Sequence, residues 1–274
     1  MDDVLGYAGK RVVVTGAASG MGEATARALV DVDAVVTAID VNPTNVRVDQ
    51  SLQTDLRNKA AIDSAVAAIE RPVAAIFNVA GLPGPPFSDL DVMLVNFVGA
   101  RHLIESLVPK MERGSAVAYV SSAAGIGWQG NTANFMDLVT AEGFEAGKAW
   151  CEAHPDMISP SAYMISKQVI MAWTAWRSVE LMKSTGIRLN CTAPGPTNTA
   201  MMPFFHEANG KHVVDGAVGA VGRYSSPEEQ AWPLLFLNSP RSSYVTGETL
   251  YTDGGFFAAL QTNQVDFSFL TPQE

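Results

Sequence analysis

Continuous apolar runs of strand length alternate with helical patterns along nearly the whole chain, and no other feature restricts its fold as much. Arg11-Val-Val-Val14 is a short β-branched strand ending in Thr15-Gly16, and Ala34-Val-Val-Thr-Ala-Ile39 is a second, ending at Asp40. Strands that are apolar on both faces belong to parallel sheets covered by helices on both sides. The stretch from Gly20 to about Val30 between them is Ala-rich and helical in pattern. The pattern then predicts a helix near Asn58–Glu70, a strand at Val73–Asn78, a long helix from about Ser88 to Arg113 and a strand at Ala116–Val120. Helix Ser161–Lys183, strand Ile187–Thr192, helix Pro227–Asn238 and strand Glu248–Thr252 complete the series. The expected fold is α/β, a doubly wound, about seven-stranded parallel sheet with helices on both faces.

No linker, repeat or low-complexity break interrupts the series, so residues 1–274 read as one domain. A net charge of −10 argues against nucleic acid or an anionic membrane surface as a partner. A phosphate bound by such a chain has to be held mainly by backbone dipoles. Cys151 and Cys191 stand in unlike contexts and predict no disulfide framework. The N-terminal Met-Asp-Asp-Val lacks a basic n-region, and no uncharged apolar run approaches the roughly 20 residues of a membrane span. A cytoplasmic protein is expected.

Thr15-Gly16-Ala-Ala-Ser19-Gly20-Met21-Gly22 lies where the first strand turns into the first helix. Gly16 suits a tight turn, Gly20 close approach to a phosphate, and Gly22 close helix–strand packing, with a pyrophosphate seated on the helix N-terminus. The spacing is GxxxGxG in place of the more familiar GxGxxG. Asp40, 18 residues after Gly22, ends the second strand. A carboxylate there accepts hydrogen bonds from ribose hydroxyls and repels a 2′-phosphate, which favours NAD over NADP.

Ser161-Ala-Tyr163-Met-Ile-Ser-Lys167 places a tyrosine and a lysine four residues apart on one helical face. An ammonium beneath the ring is expected to lower the phenol pKa, ordinarily about 10, so that it moves protons near neutral pH.

With glycine loop, acid and Tyr-x-x-x-Lys together, the chain resembles the short-chain dehydrogenase/reductase family from about Lys10 to Gly255. The resemblance implies a Rossmann-type NAD(P)-binding domain. It assigns adenine contact to Asp55 in Thr-Asp-Leu, with Leu56 also at the cofactor, and a strand-end cofactor contact to Asn78-Val-Ala80-Gly81, where Val79 replaces a second Asn. Pro194-Gly195-Pro-Thr197-Asn-Thr199 resembles the segment that holds the nicotinamide carboxamide. Asn96 fits the position of a lysine-linked water, and Ser122 the serine that binds the substrate oxygen. The implied catalytic set is Asn96, Ser122, Tyr163 and Lys167, with Tyr163 and Lys167 also touching cofactor. In the oxidation direction Tyr163 takes the alcohol proton while nicotinamide takes the hydride.

Two segments exceed what the alternation needs. Forty residues separate Ser122 from Tyr163. The insert, about 125–160, has helical patterning, with Phe135, Leu138, Val139, Ala146, Ala149 and Trp150 mainly on one face and Asn134 as an expected N-cap. Gly143 and Gly147 leave one helix or two equally open. A similar insert marks the 3α-hydroxysteroid dehydrogenase/carbonyl reductase branch of the family, which this chain resembles more than it does the fatty-acid reductases. It is expected to obstruct the helix pairing by which many relatives form tetramers, so a homodimer, or a tetramer built differently, is anticipated.

The second segment, about 197–226, is the expected substrate lid. Met201, Met202 and Phe205, with Trp128 from the insert, suggest an apolar pocket. His206 and His212 lack neighbouring ligands, and no metal is expected. The apolar tail, 256–274, is expected to pack over the cleft or a neighbouring subunit. The sequence thus predicts an NAD-dependent oxidoreductase interconverting a bulky, apolar secondary alcohol (steroid, terpenoid or cyclic) and its ketone. A 3-oxoacyl thioester reductase, or a non-catalytic NAD-binding scaffold, is the alternative.

Overall fold

The computed structural model describes residues 3–159 and 161–266. Seven parallel strands form one sheet: β1 (Arg11–Thr15), β2 (Val35–Asp40), β3 (Gln50–Gln53), β4 (Val73–Asn78), β5 (Met111–Val120), β6 (Arg188–Pro194) and β7 (Thr249–Thr252). Their order is β3-β2-β1-β4-β5-β6-β7. The chain winds outward in one direction from β1 and in the other from β4. The gap between those strands' carboxyl ends is therefore where such sheets bind ligands.

Alternate residues of each strand serve two cores. Val13 and Ile76 join the cluster on one face, while Val12, Val14 and Phe77 join the cluster on the other. Each such side chain, wholly removed from water, contributes about 1.5–3 kcal/mol. On the second face lie α1 (Gly20–Val30) and the later helix α11 (Pro227–Asn238). α11 opens with Ser226 and Glu229 capping each other's backbone donors.

On the first face lie α2 (Lys59–Ala68), α3 (Asp89–Met93) and α4 (Ala100–Leu107). A wide π turn, Leu94–Gly99, joins α3 to α4. The run Asp89–Lys110 is long and apolar enough to cross a membrane by composition, but 72% of its most apolar window is buried here. The run is not uncharged, since Arg101 and Glu105 lie within it, and it is a core helix. It stops at Lys110, short of the expected Arg113, because Met111 already pairs with Val73 in the sheet.

The insert forms two main helices, α5 (Trp128–Thr140) and α6 (Gly143–Ala153), and a short α7 (Pro155–Ile158). α5 starts at Trp128, so Asn134 lies inside it and is not an N-cap. α6 buries Phe144, Gly147 and Cys151, whereas Ala146 and Ala149 are exposed. The break falls at Gly143, whose φ of +76° favours glycine. The buried Arg101 of α4 fastens the insert. Its guanidinium donates to the carbonyls of Leu138 and Gly143, both at 2.9 Å, and lies over the Phe97 ring. Gly147 leaves room for it, since a Cβ there would stand 2.8 Å from Arg101 Nη2.

The 24-residue α8 (Ala162–Thr185) follows, capped by Ser161 and ended by Gly186. Its Trp173 is in the core, and Trp176 is exposed. The lid carries α9 (Met202–Asn209) and α10 (Lys211–Gly216). In the tail, α12 (Phe256–Gln261) packs Phe257 on Tyr251 at 3.9 Å between ring centroids. The apolar Phe267-Ser-Phe-Leu270 of the tail lies outside the described residues.

Candidate active site

A cleft of about 420 Å³ opens at the carboxyl ends of β1, β2 and β4. One end is lined by the glycine loop (Gly16, Ser19, Gly20, Met21, Gly22), Asp40, Asp55 and Leu56. The loop has the close packing that its glycines predict. A Cβ on Gly22 would fall 2.0 Å from the Gly16 carbonyl oxygen, and one on Gly16 would fall 2.8 Å from Ala80. Ser19 makes no side-chain cap, so the first N–H groups of α1 keep their capacity for an anion. Asp40 is held at the loop by hydrogen bonds from the N–H groups of Ala18 and Asn42, at 3.0 and 2.8 Å. These features fit the pyrophosphate and ribose of a dinucleotide, with the backbone supplying the charge complement that a chain of net −10 lacks.

The sequence pattern passed over several contributors. Thr15 donates to Asn78 Oδ1 and accepts from the N–H groups of Val79 and Ala80, so one hydroxyl ties β1 to the Asn78–Gly81 turn. Its place before Gly16 was the available signal. Arg57 also lines the cleft and pairs with Asp55 and Asp91. That pairing draws the Asp55 carboxyl below its usual range.

The far end is apolar: Leu82, Pro83, Phe87, Val95, Met201 and Phe204, with Thr199 between the two ends. Phe87 and Phe204 belong to no motif of the sequence. Trp128 is absent from this lining and packs on the core, and Met202 is buried in the base of the lid. Phe205 instead lies edge-on to the Tyr163 ring, 5.0 Å between centroids. Pro194, Gly195 and Thr197 also fall outside the lining; only Thr199 of that segment reaches it, 3.3 Å from where a Gly20 Cβ would stand.

Behind the cleft, β5 and α8 bring Ser122, Tyr163 and Lys167 together. Ser122 lies two residues past the end of β5, caps the next turn by accepting from Ala124 N–H, and hydrogen-bonds the Tyr163 phenol. Lys167 is buried, donates to the Val120 carbonyl at 3.1 Å, and holds its Nζ 5.4 Å from the Tyr163 ring centre. Its backbone carbonyl accepts from Ser121 Oγ. Burial pushes its pKa down to about 8.

The electrostatics differ from the sequence expectation. Burial raises the half-buried Tyr163 phenol above its ordinary value, and the hydrogen bond from Ser122 is what pulls it back. Lys167 stands beside the ring, its ammonium engaged with the Val120 carbonyl. Its ammonium is placed for the space between Asn96 and Gly81, 3.7 Å from where a Gly81 Cβ would lie.

Asn96 is wholly buried in the π turn and fully used. Its amide donates to the Leu82 carbonyl and Ser166 Oγ and accepts from Leu82 N–H at 2.7 Å. Ser166 in turn donates to the Tyr163 carbonyl, and the Asn96 carbonyl accepts from the Tyr119 hydroxyl. Asn96 thus braces the helix of Tyr163 against the turn at Leu82. The unmet cost of a buried amide is avoided by three bonds.

Residues 10–133 match the short chain dehydrogenase family, and residues 151–257 match the family described as Enoyl-(Acyl carrier protein) reductase. Coniferyl-alcohol dehydrogenase of Pseudomonas sp. is 30% identical over 247 residues, covering 90% of this chain and 96% of that protein. The chain belongs to the short-chain dehydrogenase/reductase family. The 3-alpha-hydroxysteroid dehydrogenase/carbonyl reductase of Comamonas testosteroni is another relative, 30% identical over 262 residues, 92% of this chain and 98% of that one. Among solved structures, the 3-alpha-hydroxysteroid dehydrogenase of Pseudomonas sp. B-0831, complexed with NADH, is similar with a TM-score of 0.77 and 25% identity, covering 94% of this chain and all of the other. A short chain dehydrogenase from Burkholderia cenocepacia, in complex with NADP, shares the fold with a TM-score of 0.70 and 20% identity, over 92% of this chain and 99% of the other. Membership makes the protein an oxidoreductase of the short-chain type, acting on an alcohol or carbonyl with a nicotinamide cofactor.

Proposed function

We propose that the protein is an NAD-dependent dehydrogenase of an apolar alcohol, acting reversibly on the corresponding carbonyl compound. The observation that carries this reading is the convergence of Ser122, Tyr163 and Lys167 beside a cleft with a glycine loop at one end and an uncharged, partly aromatic wall at the other. Asp40 supports NAD: a 2′-phosphate at that end would meet a carboxylate already anchored to the loop. A nicotinamide held there supplies the two-electron chemistry. The protein's part is to orient the alcohol by a hydrogen bond from Ser122 and to take its proton at Tyr163 Oη. Lys167, with its pKa near 8, is placed to hold ribose hydroxyls and to stabilise the phenolate once formed.

The apolar end supports a hydrophobic carbon skeleton, and the relatives named for a steroid and for an aryl alcohol bracket the choice. Oxidation of cyclic, terpenoid, steroid and aryl-allylic alcohols with NAD would rank these. Tyr163→Phe should abolish turnover and leave NADH binding largely intact; retained turnover sinks the assignment. NADPH serving as well as NADH would refute the role of Asp40.

The reading extends to assembly. α5 packs along α8, and α6 packs against the π turn and α4. That packing supports an insert that obstructs the helix pairing expected of many relatives, and with it a homodimer or a differently built tetramer. Light scattering that showed the helix-paired tetramer, unchanged by trimming the insert, would overturn this.

A further inference from the structure

The lid, residues 200–223, leaves the body of the protein after Thr199 and returns at Tyr224–Ser225. The two crossing segments are joined as a single parallel bridge between Thr197 and Ser225. Asn198 N–H donates to the Ser225 carbonyl at 2.8 Å, and Ser225 N–H donates to the Pro196 carbonyl at 3.0 Å. Their side chains continue the joint. Thr197 Oγ1 lies 2.9 Å from Ser225 Oγ and donates to the Gly195 carbonyl. Both ends of the lid are therefore held at one neck.

The neck is anchored by a residue that hydrophobic packing does not require. Gln230, on the first turns of α11, is only 3% exposed. Its amide nitrogen donates to Ser225 Oγ and to the Thr252 carbonyl at the end of β7, both at 2.9 Å. The Thr252 carbonyl only accepts, which fixes the orientation of the amide. Its oxygen, in contrast, has no partner. A buried acceptor left unmet is costly, and a leucine would fill the same volume without that cost. A local rule broken in this way points to what the residue does with its other atoms.

The neck leads directly to two functional contacts. Thr199, two residues beyond Thr197, touches the glycine loop at Gly20, and its carbonyl and hydroxyl receive the N–H groups of Met202 and Met201 at the start of the lid. Phe205, one turn into α9, lies on the ring of Tyr163. We propose that Gln230 is a positioning residue: by tying Ser225 and Thr197 to β7 it closes the neck of the lid and so sets Thr199 against the cofactor loop and Phe205 over Tyr163. It touches neither substrate nor cofactor. The kinetic consequences rest on the dehydrogenase reading; the closure of the neck does not.

Gln230→Leu keeps the volume and removes both donors. Limited trypsin digestion of the full-length protein reads the neck without turnover, because Lys211 lies exposed in the lid. Mass spectrometry should show cleavage at Lys211 accelerated about tenfold, the scale of losing one or two net hydrogen bonds, with Arg223, the other trypsin site of the lid, rising alongside it and cleavage outside the lid unchanged. Ser225→Ala removes the other partner and should act in the same direction, with the double variant no worse than the stronger single one, since both cut one linkage. In steady-state oxidation Gln230→Leu should raise KM for the alcohol and for NAD severalfold, lower kcat less, and leave the pH profile in place. Lys211 cleavage that is unchanged, or that rises only in step with every other site, overturns the proposal. So does additivity of the two variants. If Lys211 becomes labile but no alcohol is turned over even by the wild type, the neck stands and the dehydrogenase reading fails.

Discussion

Lys167 carries an unusual energetic burden, and removing it gives a prediction that can be worked through. Lys167 is 4% exposed, and among the described residues no carboxylate pairs with its ammonium, which donates to the Val120 carbonyl. Burial brings its pKa from 10.5 to about 8, against a small opposing pull from Cys191. The sign follows from proton counting. Between the two values the unfolded chain holds a proton that the folded protein has shed, so raising the pH favours the fold. Below about pH 8 the full penalty of burying the charge is present; it is relieved as pH climbs towards the unfolded value. Integrated from about pH 7 to about pH 9.5, that relief amounts to about 2 kcal/mol. Lys167→Met keeps the apolar stem and deletes the titration. Urea unfolding of the cofactor-free protein across that range should show wild-type stability gaining about 2 kcal/mol on the variant, whatever their offset at pH 7. Stopping short of pH 10 avoids interference from tyrosine titration. Two parallel stability curves would refute the reasoning, because they would mean that Lys167 is neutral or well solvated throughout.

Ser122→Ala removes the one bond that lowers the Tyr163 phenol, so the rising limb of kcat/KM with pH should move to higher pH as activity falls; an unmoved limb would mean the serine only orients substrate. Arg101→Met should cost about 2 kcal/mol by removing two hydrogen bonds from a buried charged donor to the insert, and hydrogen exchange should show the loss concentrated in α5 and α6. Gly99→Ala should destabilise by about 3 kcal/mol or more, since a Cβ there would fall 1.9 Å from the Leu56 carbonyl oxygen; denaturant midpoints decide this, and a neutral result would show that the backbone gives way.

The elements easiest to read from sequence were those whose residues face one environment along their whole length. β1 and β2 are apolar throughout because both faces are covered, and the glycine loop is spelled out because three backbones crowd there. β3 was invisible for the opposite reason. Gln50-Ser-Leu-Gln53 is a short edge strand with half its residues in water, and its place follows from pairing with β2. Within the insert, Phe135, Leu138 and Val139 were legible as a buried stripe, but α6 buries Gly147, whose value is its missing side chain. The identities of Ser122, Tyr163 and Lys167 were likewise plain. Their electrostatics were not, since a four-residue spacing says that two side chains share a face but not which end of the tyrosine the ammonium reaches.

The π turn at Leu94–Gly99 has a consequence for how this protein can vary. In a regular helix every added or removed residue rotates all that follows by about 100°. The wide turn absorbs such a change locally. Upstream of its end, Asn96 faces Leu82 and Ser166; five residues on, Arg101 faces the insert. Two obligations that an unbroken helix would lock into one phase are set separately. The phase in which α4 presents Arg101 to the insert is thus set apart from the phase in which Asn96 braces the proton-handling edge of the sheet.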